Sequence, residues 1–267
     1  MSKRITIIGG GNLGMAIAEG LVNSHFIKPS QLLVTKRNID TLKRIEEMGV
    51  MVSNNNVEAA RYASIIILAV KPFQADAVLN EIREVLQPEK QVLCSVVTGI
   101  STDHILSLTG KEMPVVRAMP NTAIAIRESM TCINGDHLNE EQLAYIIALF
   151  EQLGKVTVID EKLMDSATVL GACGTAFAMR FIRANIQGGI EIGFDAHTAS
   201  LIASQTIKGA AQLLLQKGTH PEQEIDKVTT PKGCTIAGLN EMEHCGFSSS
   251  LIRGIAASYK RILNLEM

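Results

Sequence analysis

The sequence predicts an α/β chain whose first part is a doubly wound, mainly parallel sheet and whose second part is all helical. Three observations carry that prediction. From Arg4 to about Asp160, short β-branched runs alternate with amphipathic segments, the rhythm of repeated strand–helix–strand units. Beyond Asp160 no strand-like run recurs, and long Ala-, Leu- and Ile-rich segments follow one another. The first apolar run, Arg4–Ile8, passes directly into Gly9-Gly10-Gly11-Asn12-Leu13-Gly14 and then into the helix formers Met15–Glu19, which reads as strand, tight turn and helix. The division falls at 1–160 and 161–267.

Taken in order, the strand candidates are Arg4–Ile8, Leu32–Thr35, Val50–Val52, Ser64–Val70, Gln91–Val97, Val115–Met119, Met130–Ile133 and Val156–Ile159. Several are apolar throughout, as strands covered on both faces should be. Asn139, with Gln142 three residues on, precedes the periodic Leu143, Ile146, Ile147, Phe150 and forms a capping-box signature. In the second part, Asp195 is placed to cap a helix running to about Gln216. Lys232 to about His244 reads as another helix, and Ser248 to about Leu263 as a third. So much unbroken Ala/Ile/Leu surface exceeds what a small bundle covers alone, which predicts helices pairing between chains in an oligomer.

The glycine turn points to a dinucleotide. In a Rossmann-type site Gly9 makes the turn, Gly11 lets the backbone approach a pyrophosphate, and Gly14 lets the helix pack on its strand, so that the helix N-terminus faces the phosphates. An NAD-type site then carries an acid at the tip of the second strand, whereas a 2′-phosphate calls for basic residues. Here that tip reads Thr35-Lys36-Arg37-Asn38, with no acid before Asp40. NADPH is the inference, NADH being bound more weakly; solvated loop charges are the other reading of Lys36 and Arg37.

Composition narrows the partners to small molecules. A net charge of −2 over 267 residues, with no block of like charge, gives no reason to expect nucleic acid or a membrane surface. The longest apolar run, Ile65–Val70, is far short of the roughly 18 residues of a spanning helix. The run after Lys3-Arg4 is too short for a secretory signal. Five scattered cysteines (Cys94, Cys132, Cys173, Cys234, Cys245) without a C-x-x-C pair indicate neither disulfides nor a zinc site, and a cytoplasmic location fits. No metal is expected, since the adjacent His244 and Cys245 point to different faces of a helix.

At this point the sequence resembles the pyrroline-5-carboxylate reductase family, the NADPH-dependent enzymes of the last step of proline synthesis. The resemblance runs nearly end to end. It is carried by the glycine turn, Leu68-Ala69-Val70-Lys71-Pro72, Gly99-Ile100-Ser101, Val115-Val116-Arg117-Ala118-Met119-Pro120-Asn121-Thr122, Leu163-Met164-Asp165, His220-Pro221 and, most specifically, Val228-Thr229-Thr230-Pro231-Lys232-Gly233-Cys234-Thr235-Ile236-Ala237-Gly238-Leu239. It implies a C-terminal helical domain that binds substrate and interleaves with a partner as a homodimer, sometimes in larger rings. It also implies cofactor contacts at Gly9, Gly11, Asn12, Leu13, Gly14, Thr35, Lys36, Arg37, Asn56, Ala69, Val70, Lys71, Pro72, Met119, Pro120 and Asn121, with Lys71 contacting through its backbone. Thr230, Pro231, Lys232, Gly233, Cys234 and Thr235 are implied as the substrate loop.

Reducing a protonated cyclic imine asks the protein to orient it, bind its carboxylate and exclude water. Pro231 and Gly233 open the backbone so that helix N-terminal amides meet the carboxylate, and the Thr235 hydroxyl is placed to bond the ring nitrogen; an ordinary helix cap is the other reading of Thr235. Two departures stand out. Gly171-Ala172-Cys173-Gly174-Thr175-Ala176 replaces a Ser-Gly-Ser-Gly-Pro-Ala-like turn, and Lys232-Gly233 replaces Gly-Gly. Lys232 either adds charge for the carboxylate or points into solvent. The departures leave open a catalytically weak NADPH-binding paralogue with a regulatory role, or a reductase of a related cyclic imino acid. A β-hydroxyacid dehydrogenase would need a lysine within Gly174–Arg183, and none is there.

Overall fold

A computed structural model describes residues 3–263. Contacts divide the chain into two compact units: one runs to Cys173 and includes the stretch from Tyr259 onward, and the other is Gly174–Ser258.

The first unit follows the order β1 (Ile5–Ile8), α1 (Asn12–Asn23), β2 (Leu32–Thr35), α2 (Lys43–Glu47), β3 (Met51–Ser53), α3 (Asn56–Tyr62), β4 (Ile65–Leu68), α4 (Pro72–Ile82), β5 (Val92–Ser95), α5 (Thr102–Thr109), β6 (Val115–Met119), β7 (Ser129–Asp136), α6 (Glu140–Glu151), β8 (Gly154–Val158) and α7 (Met164–Ala167). The strands form one sheet ordered β3-β2-β1-β4-β5-β6-β7-β8. All eight strand candidates are present. The chain winds outward from β1 first toward β3 and then toward β8, so a crevice opens where the order reverses, between β1 and β4, at the carboxyl ends of the strands.

One pair departs from the parallel rule. β7 runs antiparallel to β6, with Met119 opposite Cys132 and Val115 opposite Asp136. A parallel return needs a crossover of a dozen or more residues, and only a short 3-10 turn, Thr122–Ile126, separates these strands. The pairing also lengthens β7 beyond the Met130–Ile133 expected from its apolar core.

Because the sheet is covered on both faces, apolar side chains alternate between two cores. Ile65 and Ile67 join Ile5, Ile7, Ile17 and Phe150 in one, while Ile66 and Leu68 join Ile8, Leu79, Leu93 and Ile105 in the other. Each fully buried Ile or Leu contributes roughly 1.5–3 kcal/mol, enough in aggregate to make this sheet a rigid frame for the loops at its edge. Asn139 accepts from Gln142 N while its own N–H meets Gln142 Oε1, both at 2.9 Å, so the capping box of α6 is formed.

The second unit contains α8 (Gly174–Glu191), α9 (Ala196–Lys217), α10 (Pro221–Lys227), α11 (Cys234–His244) and the larger part of α12 (Phe247–Leu263). Asp195 caps α9 as expected, its Oδ1 accepting from His197 N at 3.0 Å and Thr198 N at 3.1 Å. Gly218, left-handed at φ 63°, ends it. α8 and α9 pack against each other, close enough that a Cβ on Gly189 would lie 3.1 Å from Ala199 Cβ. Among the described residues, only Ala199 and Ala203 of this unit are buried apolar side chains. No helix among the described residues is long and apolar enough to cross a membrane.

Candidate active site

The Gly9–Gly14 turn has the construction that its sequence implied. Gly9 is held at φ 115°, and a side chain there would strike the Ala69 carbonyl. Its N–H and that of Gly10 both donate to Thr35 O, at 3.2 and 2.7 Å, tying the turn to the end of β2. A side chain on Gly14 would strike Gly9 O and Ile7. Gly11, by contrast, has nothing within 4 Å of where its Cβ would stand. It is the N-cap of α1 and supplies no side-chain cap, so no capping side chain takes up the first amides of that helix and the space beside Gly11 is open. That is a cradle for a pyrophosphate, and on this ground the chain fits a dinucleotide.

At the tip of β2 the cations and the hydroxyl part company. Arg37 is exposed and Lys36 partly so, and neither forms an ion pair among the described residues. Thr35 is 1% exposed, and its hydroxyl donates to Asn56 Oδ1 at 2.7 Å, while Asn56 Nδ2 donates to Glu81 at 2.9 Å. The Thr35 hydroxyl, implied above as a cofactor contact, is thus engaged with Asn56 within the chain. Strand residues alternate faces, and this one faces inward; it fixes Asn56.

The other two turns lie at the same edge. Ala69 continues the β1–β4 pairing through a 2.8 Å bond from its N–H to Ile8 O. Lys71 is exposed and is the N-cap of α4: its N–H donates to Gln74 Oε1 at 3.2 Å and its carbonyl accepts from Gln74 N at 2.9 Å. With Pro72 at the first helical position, where a missing N–H is harmless, Lys71 works here through its backbone. After β6, Met119 and Pro120 are buried, and Asn121 is bonded on three sides. Its N–H donates to Ser129 Oγ at 3.1 Å, its Oδ1 accepts from Ala123 N at 3.0 Å, and its Nδ2 donates to Gly171 O at 3.3 Å.

In the second unit the Thr230–Thr235 loop forms a tight turn into α11. Gly233 N donates to Thr230 O at 2.9 Å, with Pro231 and Lys232 as the central residues. Lys232 sits at φ 61°, a left-handed position where glycine is at home. A Cβ on Gly233 would lie 2.6 Å from Thr230 Oγ1, so glycine is required there by space. Gly233 is the N-cap of α11 and offers no side-chain cap. Thr235 lies inside the helix, so its hydroxyl is not the cap; it makes no hydrogen bond among the described residues. Cys234 is exposed at the first helical position.

Glu224 braces the approach to this loop. Its carboxylate accepts from Lys227 at 2.6 Å and Thr219 at 2.8 Å, with Lys217 at 3.5 Å, and these partners, the Lys227 bond foremost, hold its pKa down at about 2. Burial alone pushes the Cys94 thiol up to about 12, which removes it as a nucleophile, and raises that of Cys132. The described residues hold no cluster of three potential metal ligands.

Sequence reasoning passed over two features. The Gly171 turn begins within a π-helical stretch, Thr168–Cys173, a rare form that often marks functional sites. Arg117, quoted only as part of a motif, is 4% exposed and pairs with Glu161 at 2.7 Å. A cation inside the otherwise apolar Val115–Met119 was the available signal.

Comparison with known proteins bears on both units. Residues 161–265 match the family model for pyrroline-5-carboxylate reductase dimerisation, and residues 4–99 match that for NADP oxidoreductase, coenzyme F420-dependent. The chain is 45% identical to pyrroline-5-carboxylate reductase 1 of Dictyostelium discoideum over 98% of its own length, but spans only 49% of that relative. To pyrroline-5-carboxylate reductase 2 of the same organism it is 44% identical, over 97% of this chain and 92% of the relative. It is also similar to the crystal structure of Plasmodium falciparum pyrroline carboxylate reductase with NADP bound: the TM-score is 0.90 at 26% identity, covering 99% and 98% of the two chains.

Proposed function

Because the chain belongs to the pyrroline-5-carboxylate reductase family, we propose that it reduces the cyclic imine L-1-pyrroline-5-carboxylate to L-proline with NADPH. The observation that carries the cofactor half is the open helix N-terminus at Gly11 beside two exposed cations at the end of β2. NADPH supplies a hydride to the C=N carbon. The chain's own residues bind and orient. Amides of α1 hold the pyrophosphate, Lys36 and Arg37 take the 2′-phosphate with Asn56 set by Thr35, and the turns after β4 and β6 contact the rest of the cofactor.

Substrate binding falls to the turn into α11. Its uncapped amides favour a carboxylate, since a helix N-terminus carries partial positive charge. The unengaged Thr235 hydroxyl is available to hydrogen-bond the ring nitrogen, a contact that strengthens as the nitrogen's charge changes during hydride arrival. No side chain is needed to deliver a proton to carbon. The working form is a homodimer or a ring of dimers, in keeping with the matched dimerisation family, and five free thiols accord with a reducing cytoplasm.

The test is a steady-state assay of the purified chain with pyrroline-5-carboxylate, NADPH and NADH. Turnover with NADPH preferred supports the reading; firm NADPH binding without turnover supports the regulatory paralogue, and turnover only with another cyclic imine supports the related reductase. Thr235→Ala refines it. Losing a transition-state contact should cost roughly 1–3 kcal/mol, seen in kcat, with NADPH affinity unchanged. Normal turnover in that variant would remove Thr235 from the site.

A further inference from the structure

The sheet of the first unit carries a polar row that the reduction itself does not use. Ser95, Arg117 and Asn134 are register partners on β5, β6 and β7, where apolar neighbours would satisfy packing. Two of the three reach the chain leaving β8. Asn134 Nδ2 donates to Ile159 O at 2.9 Å, and Arg117 Nη1 donates to Glu161 Oε1 at 2.7 Å. The same Glu161 oxygen accepts from Thr102 N at 3.1 Å, the first amide of α5. Arg117 Nη2, Glu161 Oε2 and Thr102 Oγ1 are buried with no hydrogen-bond partner among the described residues.

Such a pair is a weak stabiliser, because desolvating the buried Arg117 guanidinium offsets much of its attraction to the partly exposed Glu161. Its placement suggests another use. Glu161 opens the segment that runs through α7 to the π-helical turn, and Gly171 in that turn accepts from Asn121, four residues beyond Arg117 on β6. The 161–171 segment is therefore fixed at both ends to one strand and the turn that follows it. We infer that Arg117 and Glu161 are positioning residues: their ion pair sets the Gly171 turn against Asn121, and thereby tunes turnover rather than cofactor affinity. Neither residue is among those assigned above to cofactor or substrate. The charged contacts to the cofactor lie elsewhere, at the glycine turn and the tip of β2, so a shift at the Asn121 turn should leave most of its affinity in place. The inference rests on the proposed reduction, and a wild-type chain without turnover would fail that reading before this one is reached.

With wild-type turnover in hand, three full-length variants decide the matter. Glu161→Ala should lower kcat at least tenfold, since misplacement by about 1 Å can cost a hundredfold, while the NADPH dissociation constant, read by fluorescence titration, stays within about threefold. Glu161→Gln should recover most of kcat, because its amide oxygen still accepts from Thr102 and Arg117. Arg117→Met/Glu161→Leu removes both charges together; it should recover the melting temperature lost in Glu161→Ala but not the turnover. Recovery of turnover along with melting temperature in the double variant would make the pair merely structural and overturn the inference. So would unchanged kcat in Glu161→Ala. If neither Glu161→Ala nor the double variant folds, the pair serves folding and the positioning role is equally overturned.

Discussion

The two units solve the same burial problem in opposite ways. In the first, eight strands are covered on both faces, and Ile, Leu and Val side chains at or near zero exposure fill two cores within one chain. In the second, Ile192, Leu201, Leu215 and Ile252 are between 65% and 78% exposed, and buried apolar residues are confined to two alanines. Apolar surface on that scale marks an interaction site. The difference teaches that the first unit carries its own stability, whereas the second is half of something, in accord with its match to a dimerisation family.

The strongest way to break this comparison is to charge the exposed face. Leu201 and Leu215 lie fourteen positions apart on α9, close to one face at 3.6 residues per turn. A twofold interface uses each side chain twice, so losing a buried leucine should cost roughly 3–6 kcal/mol per dimer, and an aspartate in its place costs more. Leu201→Asp/Leu215→Asp should therefore sediment as a monomer at micromolar concentration, with the helical unit melting early. A variant that stays dimeric, or a wild-type chain that is a stable monomer, would sink the contrast.

A smaller effect sharpens the other side. If the first unit is rigid and preformed, removing one cation from the tip of β2 should change cofactor choice and nothing else. Arg37→Ala should weaken NADPH by roughly 1.5–3 kcal/mol, or about 10- to 150-fold, with NADH nearly unaffected. Equal losses for both cofactors would show that Arg37 serves the fold.

How far the sequence could be read follows from the same contrast. Period and composition are local signals, so the eight strands, the capping box at Asn139 and the Asp195 cap were all legible. The glycine turn was legible too, because its spacing between an apolar strand and a helix is itself a local signal, with Gly9 and Gly14 held by close contacts and Gly11 left open. What escaped depended on side chains meeting across the chain. Thr35 turns inward onto Asn56, Arg117 finds Glu161, and Asn121 finds Gly171, pairings between residues 21, 44 and 50 positions apart that no periodicity encodes. The antiparallel β7 was hidden for a related reason: its direction is set by the length of the turn before it, while its apolar pattern suits either direction.

In the second unit, polar anchoring does part of what a core does in the first, and acid should reveal it. Glu224 has a pKa near 2 in the fold against 4.5 ordinarily. A depressed carboxylate contributes stability that is fully present above the unfolded value and is lost as pH falls from about 4.5 toward 2. Melting curves of the helical unit recorded over that range should steepen on the acid side, and Glu224→Gln should flatten that dependence. An unchanged acid limb would mean that the Lys227 and Thr219 contacts carry no weight in solution.

The smallest effect is expected at Lys232, the one departure that the structure explains in backbone terms. A non-glycine residue in the left-handed region costs roughly 1–2 kcal/mol, and Lys232 lies there at φ 61°. Glycine would relieve that strain but loses more chain freedom on folding, by about 0.5–1 kcal/mol. Lys232→Gly should thus stabilise the loop by no more than about 0.5–1 kcal/mol, and Lys232→Ala, which keeps the strain, should not. The same pair of variants separates the two roles open to the side chain. Lys232 is exposed and makes no ion pair among the described residues, as a solvated lysine would. The Michaelis constant for the imine should then stay within about twofold in both variants, whereas a lysine that grips the carboxylate through a charge-assisted bond would raise it tenfold or more. A large rise shared by glycine and alanine would move Lys232 from the surface into the substrate site.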